Sequence, residues 1–509
     1  MFFDEMKKTL DGDSEFNVSY TENAALGYKT TGKKLLDLNY QVASLRSADE
    51  SYIKDLYKKA FYEDKLMALK WLFFASDVRE GLGERRLFRV ILKDLAVNNP
   101  DYIGHLLEYI PEYSRWDNIL EMLETGLEHK AVEIIKKQLA EDKKNKSENK
   151  PVSLLAKWLP SANTSSKETV RKARKLCGLL GMDEKEYRKT LSDMRKYIDV
   201  VEIKMSAKQW GGINYEAVPS RANLIYNAAF LRNDEQRRRE YLEKLEKGEV
   251  KINAGVLYPH DIVHSYISEK GGYYDNFLKP YDSALENLWK NLPDLVQDNG
   301  STIVVADGSG SMMCPIGNTN VSALSVANAL AIYFAEKLSG EFKDKYITFS
   351  ANPQLVDFSR CDSLKEKIEL AFKYNEVANT NIEAVFDLIL STAKRAKMKQ
   401  EDLPGNILIL SDMEFDHAVH GAVDQRLFKN IGSRYGQSGY KLPRLVFWNL
   451  NSRTWTIPVI ENDLGAALVS GFSVNIVKMV LSGEIDPYKC LIGQLTSERY
   501  AKIIMPVAE

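Results

Sequence analysis

From Asp49 to Leu295 apolar positions recur at spacings of three and four, as in Leu56, Ala60, Phe61, Met67, Trp71 and Phe74, and again in Leu87, Ile91 and Leu95. That period keeps an apolar stripe on one side of a helix, so the stretch predicts a succession of antiparallel amphipathic helices. Breakers interrupt it at Gly81-Leu82-Gly83, Asn98-Asn99-Pro100, Leu159-Pro160-Ser161, Gly211-Gly212 and Val218-Pro219-Ser220. Spacings of roughly 20 to 40 residues between breakers are the rhythm of a helical-repeat (HEAT-like) solenoid, although no signature sequence repeats. The stretch Lys143 to Lys150 has no apolar positions and reads as a polar loop.

Past Asp298-Asn299-Gly300 the pattern changes to short β-branched runs alternating with helical ones. Ser301 to Ala306, Lys345 to Phe349, Asn406 to Leu410 and Arg444 to Asn449 read as strands. Val321 to Leu338 and Ile382 to Lys397 read as helices. Near-continuous apolar strands in a βαβ rhythm predict a parallel sheet covered on both faces, with ligand loops at the strands' carboxyl ends. The fold class is therefore α plus α/β. An all-α domain over 1–296, shaped as a ring or arch, precedes a doubly wound α/β domain over 297–509.

Length agrees, since 509 residues exceed one ordinary core. With 44% hydrophobic and 28% charged residues, the chain has the composition of an ordered globular protein. Its apolar runs, such as Ala68 to Ala75, fall short of the roughly 20 residues that cross a bilayer. The acidic N-terminus lacks the pattern of a signal peptide, so the expected location is cytoplasmic, with no membrane partner. Cys177, Cys314, Cys361 and Cys490 have no Cys-x-x-Cys spacing and read as reduced thiols.

The net charge of −2 conceals an uneven distribution. Residues 130–251 hold 28 Lys+Arg against 18 Asp+Glu, an excess of ten, whereas residues 1–129 hold 17 against 23. A basic stretch thus lies inside an otherwise acidic chain, which leaves room for a nucleic-acid surface there.

The most chemically specific motif is Asp307-Gly308-Ser309-Gly310-Ser311, directly after the strand Ser301 to Ala306. One carboxylate and two hydroxyls on a glycine-relaxed loop suit a hard divalent cation such as magnesium, with manganese or calcium as alternatives. The rest of the shell must come from neighbouring loops. Asn379-Thr380-Asn381 before a helix and Ser411-Asp412 after a strand offer it. The bland alternative is a capping turn, with Asp307 as the cap. A P-loop is excluded because no Gly-Lys-Ser/Thr follows. The acids just past Asp412, Glu414 and Asp416, read as solvated surface groups.

Asp-x-Ser-x-Ser, a Thr before a helix and an Asp after a strand resemble the metal-ion-dependent adhesion site of von Willebrand A domains. The resemblance implies metal ligation by Asp307, Ser309, Ser311, Thr380 and Asp412, with water or a partner's carboxylate in the last position. In the first half, Thr21-Glu22-Asn23, Arg79 to Arg86, Arg115-Trp116-Asp117, Lys157 to Ser161 and Val218 to Arg221 resemble the domain-of-unknown-function 2828 family. That family is similar in architecture to the Ro autoantigen and its TROVE-domain relatives. The likeness implies a helical ring, a von Willebrand A domain and binding of small structured RNA.

The residues that would meet RNA phosphates are Arg171, Lys172, Arg174, Lys175, Arg188, Lys189, Arg195, Lys196, Arg237, Arg238 and Arg239, with Trp158, Trp210, Tyr187 and Tyr226 as stacking faces. The competing account makes these clusters solvated helix faces and the aromatics core. Arg79 to Arg86 reads as a helix connection rather than a phosphate loop. His260 and His264 lack the Glu of a zinc protease, and His417 and His420 lie near the metal loops without a defined spacing. With no nucleophile, base and orienting acid forming a set, the expectation is a non-enzymatic RNA or ribonucleoprotein-binding protein with a metal-dependent site for an acidic ligand. A protein-only scaffold is the alternative, and a metal-dependent hydrolase the third reading.

Overall fold

The structure is a computed structural model and describes residues 17–21, 26–267, 278–296, 301–317, 319–350, 352–375, 381–414, 425–454, 457, 466–471, 473, 475 and 486–506. It divides into two compact units. One contains residues 1–68 and 254–501, the other 69–253 and 502–509. Packing therefore draws its lines elsewhere than the change of sequence texture at residue 297.

The first unit opens with a hairpin, β1 (Val18–Tyr20) and β2 (Leu26–Tyr28), paired antiparallel. Helix α1 (Lys34–Tyr40) follows, and its Leu35, Leu36, Leu38 and Tyr40 are all buried. A short helix can be buried on nearly every side only if its polar groups find partners. Asp37 does so, accepting from the Thr31 amide and hydroxyl at 2.7 Å each and from the Thr30 hydroxyl.

In the second unit, α2 (Glu128–Ser147), α3 (Lys167–Leu180) and α4 (Glu184–Tyr197) belong to the predicted helical succession. The lysine-rich stretch from Lys143 is not a loop but the exposed last turns of α2. Lysine is a good helix former, and positive charge favours the carbonyl end of a helix. Gly81 sits where the chain reverses between two helices: a Cβ there would lie 2.0 Å from the Phe74 carbonyl oxygen. The Arg79 to Arg86 peptide is accordingly a tight helix connection.

Back in the first unit, the α/β layers run β3 (Thr302–Asp307), α5 (Ala323–Lys337), β4 (Lys345–Phe349), β5 (Leu355–Asp357), α6 (Leu364–Lys373), α7 (Ile382–Ala396), β6 (Asn406–Ser411), β7 (Arg444–Asn449) and β8 (Ala466–Ser470). The sheet order is β5-β4-β3-β6-β7-β8. All neighbours are parallel except β4 and β5. The connection from Phe349 to Leu355 is too short for a parallel crossover, so the expected all-parallel sheet carries one antiparallel edge. With sequence-order strands arranged 3-2-1-4-5-6, this is a doubly wound sheet of von Willebrand A type, and its switch point lies between β3 and β6.

The first unit draws in segments from before the α/β texture because they complete its core. The Asn449 amide nitrogen donates to the Tyr40 carbonyl at 3.0 Å, and the Ala43 amide donates to the Ser470 hydroxyl at 3.2 Å. On α5, Glu336 accepts from the Trp289 indole at 2.8 Å. Buried Glu286 accepts from the amides of Leu364 at 2.8 Å and Lys365 at 3.1 Å, so it caps α6.

Candidate functional site

β3 ends at Asp307 and its neighbour β6 ends at Ser411, so both chains turn out of the sheet at the switch point. The Asp307 carboxylate is 2% exposed and held from both sides. The Ser309 amide donates to its Oδ1 at 2.9 Å and the Ser411 hydroxyl to its Oδ2 at 2.6 Å. Ser309 Oγ and Ser311 Oγ lie 3.0 Å apart. A Cβ on Gly308 would approach Cα of Asn375 to 3.1 Å, so glycine lets the end of α6 close over the loop.

Asp412 completes the cluster. It is 1% exposed; its Oδ1 accepts from the Glu414 amide at 3.2 Å, and its Oδ2 has no hydrogen-bond partner. Burial first, and the Asp307 charge second, push its carboxyl up to about 7. The Glu414 amide, the Arg453 charge and the Ser311 hydroxyl pull it the other way. Between Asp412 and Glu414 the backbone of Met413 is left-handed, with φ of 63°, a conformation that costs a non-glycine residue energy and gathers at functional sites.

The structure thus brings together Asp307, Ser309, Ser311 and Asp412, and leaves Thr380 outside the described residues along with Asp416, His417 and His420. Among the described residues no three His, Cys, Asp or Glu side chains form a metal cage. The donors here are two carboxylates and two hydroxyls. All are hard oxygen ligands, and a buried carboxylate oxygen without a partner is the kind of group a cation would satisfy, so the set fits a divalent ion that keeps water or borrows a ligand.

Glu414 overturns the expectation of a solvated acid. It is buried, and its Oε1 accepts from the Arg453 amide at 2.6 Å, the Thr454 amide at 3.0 Å and the Ser452 hydroxyl at 3.3 Å. The Thr454 hydroxyl adds contacts at 3.1 Å to both oxygens. It therefore clamps the turn after β7. The charge of Glu414 also reaches Tyr40 on α1, adding to the burial that drives that phenol well up. From the clamped turn, Arg453 Nη1 donates to the Ser311 carbonyl at 3.2 Å and lies 3.6 Å from Asp412 Oδ2. Nothing local in the sequence marks Arg453. Its only signal is position, since the loop after β7 opens at the same carboxyl edge.

The basic residues of the second unit divide into two groups. Arg238 is 0% exposed; its guanidinium donates to Asn223 and Asn227 at 3.0 to 3.2 Å and lies against the rings of Tyr215, Phe230 and Tyr241. Arg237 donates to the carbonyls of Trp210 and Ile213, and Arg195 to those of Ala156 and Leu159 and to the Ser161 hydroxyl. These three are corrected from phosphate ligands to structural ties, because their donors already hold backbone and amide acceptors. Tyr187, buried and donating to the Pro160 carbonyl, is likewise core rather than a stacking face.

The other basic residues singled out in the sequence face solvent. Arg171, Lys172, Arg174, Lys175 and Arg239 pair with Glu124, Glu168, Glu184, Glu128 and Glu235. Two hollows flank α4, of about 520 and 670 Å³. Lys185, Arg188 and Lys189 line the first; Lys189, Lys143, Lys146 and Lys196 line the second. Asp193, an acid of the second hollow, is paired with Lys146. Arg115 stacks 4.1 Å over Trp158 while Asp117 binds both Arg115 and Arg89.

Fold and site together define a two-unit protein in which a helical unit accompanies a doubly wound α/β unit with an acidic switch-point loop. Residues 166–302 match the family model described as domain of unknown function (DUF2828), and residues 301–498 match that described as domain of unknown function (DUF7788). The expected likeness to the first family is borne out over that segment. "Uncharacterized protein L728" of Acanthamoeba polyphaga mimivirus is 27% identical over 519 residues, spanning 94% of this chain and 87% of its own. The crystal structure of the Deinococcus radiodurans RO (RSR) protein is similar over 87% of this chain and 93% of that one, at 14% identity and a TM-score of 0.37.

Proposed function

We propose that this is a non-enzymatic binding protein whose α/β unit takes a divalent cation, magnesium foremost, and through it grips an acidic group of a partner. Asp307, Ser309, Ser311 and Asp412 would hold the ion, with Thr380 the fifth residue that the adhesion-site resemblance supplies. The observation that carries this reading is Asp412 Oδ2: a buried carboxylate oxygen, beside a second carboxylate, with no hydrogen bond. The ion would supply charge neutralisation and an open coordination position. Millimolar magnesium or manganese should raise the melting temperature of the full chain by several degrees, and Asp307→Asn should abolish the response. A wild type indifferent to both ions would remove the metal.

A second observation favours RNA on the helical unit. The hollows on either side of α4 gather Lys143, Lys146, Lys185, Arg188, Lys189 and Lys196 on one helix and its neighbour. We assign the contact with structured RNA to this surface, with binding dominated by phosphates and therefore steeply weakened by salt. Arg188→Glu combined with Lys189→Glu should reduce capture of a structured RNA pool at least tenfold, with a shallower salt dependence. Unchanged capture, or none by the wild type, would leave the protein-only scaffold in its place. Magnesium-dependent phosphodiester hydrolysis lost in Asp412→Asn would turn binding into catalysis.

A further inference from the structure

Two buried carboxylates converge at the switch point, and among the described residues Arg453 is the cation set against Asp412. Its placement is built rather than incidental. Asp412, left-handed Met413 and buried Glu414 form one turn, and Glu414 accepts the amide of Arg453 itself together with groups of Ser452 and Thr454 on either side. The same three-residue turn therefore presents a metal-ligating carboxylate and anchors the arginine that faces it. Nη1 is tied to the Ser311 carbonyl at 3.2 Å, yet stays 3.6 Å from Asp412 Oδ2, too far to satisfy that oxygen. It lends charge without filling the coordination position.

Resting on the metal reading above, we propose that Arg453 is a tethered counter-cation that holds the metal-free loops together and competes with the divalent ion for Asp412, so that it sets the metal concentration at which the site loads. Like charges repel strongly at such separations even where water screens them, so the arginine weakens metal binding while it steadies the metal-free state. A merely structural arginine would do neither selectively: its loss would weaken both states alike and leave metal affinity unchanged or lower.

The test is binding of manganese alone to the full chain, followed by the electron paramagnetic resonance signal of the free ion, in wild type, Arg453→Met and Arg453→Lys. Arg453→Met should bind about tenfold more tightly, and Arg453→Lys should stay near wild type. The metal-free melting temperature of Arg453→Met should fall while the loaded forms melt together. Should Arg453→Met not fold, Arg453→Gln, which drops the charge but keeps a donor for Ser311, carries the same comparison. Equal or weaker binding by the uncharged variant overturns the role of Arg453 and leaves the metal site standing. Absence of binding in every variant removes both.

Discussion

The helical unit and the α/β unit handle buried charge in opposite ways. Arg238 is wholly buried, yet its guanidinium is met by two asparagine oxygens and enclosed by three aromatic rings. Asp412 is as deeply buried, but one oxygen is left without a hydrogen bond and a second carboxylate stands beside it. A buried charge that is hydrogen-bonded through all three of its nitrogens describes architecture. One that keeps an oxygen without a hydrogen bond, on a strained turn at the carboxyl end of a central strand, describes a place prepared for something else.

The sharpest way to break this contrast is Arg238→Ala. It strands the acceptors of Asn223 and Asn227 and opens a cavity among Tyr215, Phe230 and Tyr241, for a loss of about 3 to 5 kcal/mol in urea unfolding. A loss below about 1 kcal/mol would show the arginine to be idle.

Asp412 predicts a comparable effect with a different signature. Its folded carboxyl titrates near 7 against an ordinary 3.8, so between those values the folded protein keeps a proton that the unfolded chain has lost. The contribution of Asp412 to metal-free stability is therefore fully present below about pH 4 and is lost as pH rises through about 7. Magnesium should restore part of it at pH 8, and Asp412→Asn should flatten the profile. Thermal melts across pH with and without chelator check this, and a flat wild-type profile would count against the crowded carboxylates.

The smallest effect belongs to the solvated face of α3. Arg171→Ala and Arg174→Ala break exposed pairs with Glu124 and Glu184, worth at most about 0.5 kcal/mol each. A larger change would blur the line between structural and solvated basic residues.

Much of this was legible in the sequence, for physical reasons. Buried parallel strands need uninterrupted apolar runs, so β3, β6 and β7 stood out, and the loop after β3 followed from them. β5 did not: three residues at a sheet edge carry too little pattern. The basic clusters were visible as charge but not as environment. Arg237, Arg238 and Arg239 are consecutive on one helix, and the turn of that helix sends one inward, ties one to carbonyls and leaves one in water. Glu414 and Arg453 were hidden for a related reason, since what buries the acid is a turn nearly 40 residues further along.

The placement of α1 has a consequence for how the chain is made. Its unit is closed by residues on β8, and the bond from Ala43 to Ser470 spans 427 residues. The helical unit, by contrast, lies almost wholly within 69–253 and has its main segment in hand once that stretch has left the ribosome. A protein synthesised from its N-terminus must therefore hold α1 against the neighbouring helix Glu50–Glu63 alone, with its remaining partners on β8 still to be made, while an entire unit folds behind it. Such a chain asks more of cellular chaperones than its length alone would, and a ribosome that stops early releases an apolar helix only partly covered.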